Sequence, residues 1–106
     1  MRQIRQGDVL FVSAKMPASG LKRVEAKNGR YVLAEGEATG HAHTLEAAPG
    51  IELHEDESGT LWLRVLEGAA VVTHQEHAPV TLPAGDYALP RQMEYTEVEG
   101  LRRVAD

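Results

Sequence analysis

The feature that most constrains this chain is its rhythm. Short apolar runs recur about every 10 residues, separated by Gly, Pro, Asn and Asp, and this is the spacing of an all-β sandwich or barrel. Within the runs, apolar and polar residues alternate, which places them on opposite faces of an extended strand. From Leu61, residues Leu61, Leu63 and Val65 share one face, and Trp62 and Arg64 share the other. Tyr31 and Leu33 oppose Val32 and Ala34 in the same way.

The pattern predicts strands over Val9–Ser13, Lys22–Ala26, Tyr31–Glu35, His41–Leu45, Ile51–His54, Leu61–Leu66, Ala70–His74, Val80–Leu82, Tyr87–Leu89 and Met93–Glu97. Three breaks are sharp. Lys27-Asn28-Gly29 reads as a hairpin turn, because Asn and Gly accept the positive φ of a type I′ turn. Glu57-Ser58-Gly59 divides two alternating runs. Pro83-Ala84-Gly85-Asp86 reads as a turn in which Pro presets φ and Gly relaxes it. Met16–Gly20 reads as a surface loop. The best helical candidate, Glu94 to Val104, is interrupted by Gly100, and a terminal strand fits it equally well.

A chain of 106 residues is the size of one domain, so residues 1–106 are expected to form a single β domain. Apolar residues make up 42%, enough for a packed interior. Aromatics are few, so the core must rest on Val, Leu, Ile and Ala. A domain this small buries a modest share of its surface, and its strand edges need cover; a homodimer is the expected assembly. The net charge of −5 argues against nucleic acid as a partner. No stretch approaches the roughly 18 apolar residues of a membrane helix. The polar start, Met1 to Asp8, carries no apolar signal core, so a cytoplasmic location is expected. The absence of cysteine excludes disulfides, thiolate ligands and thiol nucleophiles.

Four of the five histidines fall in two groups. In Gly40-His41-Ala42-His43, an extended backbone points both imidazoles to one face, where they can share a metal ion. The second group is His74-Gln75-Glu76-His77. Pro79 disrupts the strand ladder nearby, so a turn can carry His74 or His77 to the first pair. One of them would complete a three-histidine set with an open coordination position, the arrangement of catalytic zinc. His-X-His pairs also occur as ordinary surface pairs. His54, among Glu52, Glu55, Asp56 and Glu57, reads as a solvated residue. Glu35 and Glu37 lie just before the first pair, and Glu46 follows it. Each carboxylate reads as a solvated acid or as a ligand, an outer partner or a general base, with Glu37 the best candidate base. Ser13, Ser19 and Ser58 sit in no nucleophile-elbow pattern, and Gly36, Gly40 and Gly50 are not spaced for a phosphate loop.

Gly40-His41-X-His43, the following Glu46 and the later Pro83-Ala84-Gly85, set among many short strands, resemble a small cupin. The resemblance covers Gly40 to Tyr87 and implies a jelly roll holding a metal through His-X-His, a glutamate and a later histidine. His41 and His43 match that pattern. Glu46 is one residue too close to His43 to share its face, and the later cupin histidine follows the Pro-X-Gly turn, where Asp86, Tyr87 and Ala88 stand here. Gly36 to His43 also resembles a Gly-Glu-X-Thr-Gly-His-X-His segment of small uncharacterised bacterial and phage-type proteins. Gln6-Gly7-Asp8-Val9-Leu10 resembles the strand opening of several small β-barrels, signal-peptidase-like domains included, without their Ser/Lys dyad.

Two functional readings follow. In the first, a divalent transition metal, zinc first and Fe, Mn or Ni as alternatives, activates water on a small-molecule substrate or binds oxygen. That would make the chain a hydrolase, lyase or oxygenase with His41, His43 and His77 or His74 as ligands. In the second, it is a non-catalytic module for assembly, binding or regulation, with a structural metal or none.

Overall fold

The computed structural model describes residues 3–35 and 41–90. Eight strands and no helix are found among the described residues: β1 Gln3–Gln6, β2 Val9–Ser13, β3 Lys22–Arg23, β4 Arg30–Glu35, β5 Ala42–Glu46, β6 Ile51–Glu55, β7 Leu61–Thr73 and β8 Val80–Leu89. Among these residues no helix is therefore long and apolar enough to cross a membrane. All strand pairings are antiparallel. The main path runs β1-β2-β8-β7-β5-β4, with β6 also paired to β7 and β3 to β6. The sheet is not closed into a barrel.

Strand β7 organises the fold. Its first half, Leu61 to Val65, pairs with β6, and its second half pairs with β5 through Val72 and Thr73. Strand β8 accompanies it along both halves, with a register shift between Val65 and Ala69. Before the shift the buried residues are odd-numbered, Leu63 and Val65; after it they are even-numbered, Ala70 and Val72. The extra residues reset the inward phase and let one strand serve two sets of neighbours. The resulting layers share one core, in which Phe11, Leu53, Leu63, Leu45, Val72 and Leu82 are all essentially inaccessible.

This irregularity corrects two sequence expectations. Leu61–Leu66 and Ala70–His74 are one strand, and so are Val80–Leu82 and Tyr87–Leu89. Pro83-Ala84-Gly85 is not a turn. It lies inside β8 at the register shift, where Pro83 faces Ala69 and Gly85 takes φ +149°. The remaining breaks behave as read. Asn28 and Gly29 have φ +53° and +75° and close the hairpin at Lys27–Arg30. Ser58-Gly59 turns β6 into β7, tied by the Asp56 carboxylate, which accepts from the Ser58 and Thr60 amides.

Strand β1 is absent from the sequence reading. Its partner is found through Gln6↔Val9, so Gly7-Asp8 forms a two-residue hairpin loop. Met16 is a second correction. Pro17 to Gly20 form the exposed loop as expected, but Met16 is buried, and its amide donates to Asp86, which is itself clamped by two hydrogen bonds from Arg64. The predicted strand Met93–Glu97 lies outside the described residues.

Candidate functional site

Three segments meet at one end of the sheet. The β1–β2 loop brings Gly7 and Asp8, the start of β5 brings His41 and His43, and the β7–β8 connection brings His74, Glu76 and His77. The pairing of β5 with β7 explains the meeting of the two histidine groups. Thr44 faces Thr73 and Leu45 faces Val72, so one step further in the same register sets His43 opposite His74. Opposed residues on neighbouring strands share a face.

The four rings pack as a cluster. Ring centroids are 4.3 Å apart for His43 and His74, 4.6 Å for His74 and His77, 5.9 Å for His41 and His74, and 6.0 Å for His43 and His77. They line an open pocket of about 390 Å³ with Asp8, Glu35 and Glu76. His77 lies directly over Gly7. A Cβ at that position would come within 2.5 Å of His77 Nε2, and the φ of +59° independently demands glycine. Gly at the first central position of a two-residue loop is the type II′ hairpin pattern.

His43 is the buried member, with 3% of its surface exposed. Its Nδ1 is 2.7 Å from the amide oxygen of Gln6, and its Nε2 is 3.3 Å from the Asp8 carboxylate. Gln6 is buried too, and its Nε2 donates to the carbonyls of Val72 at 3.0 Å and Ala78 at 2.9 Å. Burial pushes the His43 imidazole below its ordinary basicity; His74 and His77 add to that effect and Asp8 opposes it.

The other rings have their own partners. His74 Nδ1 accepts the Glu76 amide at 3.0 Å, so neutral His74 carries its proton on Nε2. His41 Nδ1 is 3.3 Å from the Glu76 carboxylate. The amide of Ala42, between the paired histidines, donates to Gln75. His77 makes no hydrogen bond among the described residues. With these nitrogens engaged, no three His, Asp or Glu side chains among the described residues already converge as a ligand set.

Of the residues singled out from sequence, His41, His43, His74 and His77 are brought together and Glu35 joins them at the pocket wall. Glu37 lies outside the described residues. Glu46 is not at the site: it is exposed at the far end of β5 and pairs with Arg30 at 3.8 Å. His54 is not fully solvated. Its side chain is 17% exposed, and its Nε2 is 3.1 Å from Glu52. Gln6, Gly7 and Asp8 are the members that sequence reasoning missed. Their signal was a Gly-Asp pair flanked by strand residues, a hairpin cue that passes for a strand opening when β1 is not recognised.

Fold and site together define a small all-β protein with an open sheet and a histidine-lined pocket at one end. A family model matches residues 5–92, and the chain belongs to that family, described as a domain of unknown function (DUF8820). No curated protein and no solved structure matches the chain.

Proposed function

We propose that this protein binds one divalent transition-metal ion in the histidine pocket, zinc first, and uses it to activate water for hydrolysis or hydration. The observation that carries this reading is the convergence of four imidazoles from two segments that are about thirty residues apart. Two imidazoles on one tetrahedral zinc, with Zn–N near 2.0–2.1 Å, place their ring centroids about 5 Å apart. The observed separations of 4.3 to 6.0 Å bracket that value.

His43 is the anchor because its backbone and ring are both held. His77 is the better third ligand: among the described residues it has no hydrogen bond to give up, whereas ligation through Nε2 would turn His74 Nδ1 into a donor facing the Glu76 N–H. His41 reaches the same pocket from the sheet edge. The pocket is open to solvent and leaves a position for water, whose pKa a three-ligand zinc lowers to about 7.

The test is elemental analysis of protein purified without chelator, followed by calorimetric titration of the chelated protein with Zn²⁺. One zinc per chain is expected. Absence of stoichiometric binding for Zn²⁺, Fe²⁺, Mn²⁺ and Ni²⁺ alike would remove the reading.

A further inference from the structure

We infer that Asp8 is a ligand of the pocket's metal ion, which sits between the Asp8 carboxylate and His43 Nε2, and that Gln6 is the positioning residue that aims His43 at it. This rests on the metal reading above and sets its three ligands as His43, His77 and Asp8, which keeps a position open for water; His41 stays beside Glu76 at the sheet edge.

Gln6 fixes the proton on His43. Its amide orientation is not ambiguous, because its nitrogen lies 3.0 and 2.9 Å from two carbonyl oxygens, of Val72 and Ala78, which can only accept. The Gln6 oxygen is therefore the atom facing His43 Nδ1 at 2.7 Å. An amide oxygen has no proton to donate, so the proton of that short bond belongs to His43 Nδ1. Neutral His43 is then bare at Nε2. That lone pair faces Asp8 Oδ1 at 3.3 Å, a second atom with nothing to donate.

Two acceptors facing each other repel, and a cation between them turns that repulsion into attraction. A proton on Nε2 would serve, but it would make a buried imidazolium beside the rings of His74 and His77. A metal ion instead takes a neighbouring imidazole as a ligand. Two ligand atoms each about 2.0–2.1 Å from one tetrahedral zinc lie about 3.3 Å apart, the separation seen here. The short Gln6 contact also orients the ring, as outer partners of metal-bound histidines commonly do. Asp8 itself projects from the hairpin loop beside Gly7, with its side chain 75% exposed, and so is free to adjust to an incoming ion.

Asp8→Asn separates a ligand from a structural acceptor. Asparagine offers an N–H to the bare Nε2, so the metal-free variant should be at least as stable as wild type. Its affinity for Zn²⁺ should nevertheless fall at least tenfold by calorimetry. Long-range ¹H–¹⁵N spectra of the metal-free wild-type protein at pH 7.5 should show His43 protonated on Nδ1 alone, and Zn²⁺ should shift the Nε2 resonance. Wild-type Zn²⁺ affinity in Asp8→Asn, while His43→Ala binds poorly, would overturn the role of Asp8 and leave the metal reading standing. A proton found on His43 Nε2 would make the contact an ordinary hydrogen bond and overturn the inference as well. If wild-type protein takes up no Zn²⁺ at all, the metal reading fails and this inference falls with it.

Discussion

His43 and His54 are each placed beside a carboxylate, at 3.3 Å from Asp8 and 3.1 Å from Glu52, yet the two regions differ in kind. His54 is free to put its proton on Nε2 and donate to Glu52, and the pair is satisfied by itself. The resulting bond holds the Glu52 carboxyl below its ordinary range. Across the same β7 strand, Arg64 makes two hydrogen bonds to Asp86, another closed arrangement of donors and acceptors. At His43 the proton is committed to Gln6 on the other side of the ring. What remains is acceptor against acceptor. A carboxylate near a histidine is therefore not informative alone; the partner on the opposite ring nitrogen decides whether the pair is a structural tie or a place for a cation.

The sharpest way to break this contrast is His43→Ala. Zinc affinity should fall by more than the roughly 10–100-fold that loss of an outer partner costs, since a ligand itself is removed. The variant should also lose stability by about 1–3 kcal/mol, because the buried Gln6 oxygen is left unpaired. Titration calorimetry and urea denaturation measure the two effects. Retained zinc affinity would place the metal elsewhere.

Gly7→Ala tests the hairpin loop. A left-handed backbone costs an L-residue about 1–2 kcal/mol. The added methyl must also displace His77, so zinc affinity should weaken along with stability. Stability lost without any change in zinc affinity would exclude His77 as a ligand. Arg64→Ala should give the opposite pattern. Loss of its bonds to a partly exposed Asp86 should cost about 1–2 kcal/mol, with zinc affinity unchanged.

Two pH responses should separate the regions in metal-free protein. Folded His43 binds a proton less readily than its ordinary value of 6.5, chiefly through burial. The unfolded chain takes that proton first, so stability is full above 6.5 and declines as pH falls until folded His43 itself titrates. Asp86 is held below its ordinary 3.8 by Arg64, so its contribution is present above 3.8 and is lost as pH falls through the folded value. Denaturation midpoints measured across pH should show two declines, and His43→Ala should erase only the upper one. The smallest effect belongs to His54→Ala, which should leave zinc binding unchanged, since His54 is paired with Glu52 and does not line the pocket.

Much of this molecule follows from local rules. Period-two alternation marks β4, β6 and the first half of β7, since inward residues of a half-buried strand must be apolar whichever strand lies beside it. Asn28-Gly29 specifies its turn because few other residues accept positive φ twice in succession. The His41-X-His43 spacing places two imidazoles at one pocket for the same geometric reason. Other features needed the assembled sheet. Pro83-Ala84-Gly85 has the chemistry of a turn and of a bulge alike, and only the facing residues Leu66 to Gly68 of β7 select the bulge.

The β class, the turn at Asn28 and the presence of two histidine groups each rest on residues adjacent in the chain, and so are legible from it. Only the tertiary structure decided that His43 faces His74, that Glu46 points away, and that Gln6 and Asp8 hold opposite sides of one imidazole. Those are matters of strand register and partner choice. A donor or acceptor acquires its meaning from what is opposite it in space, and no spacing along the chain encodes that.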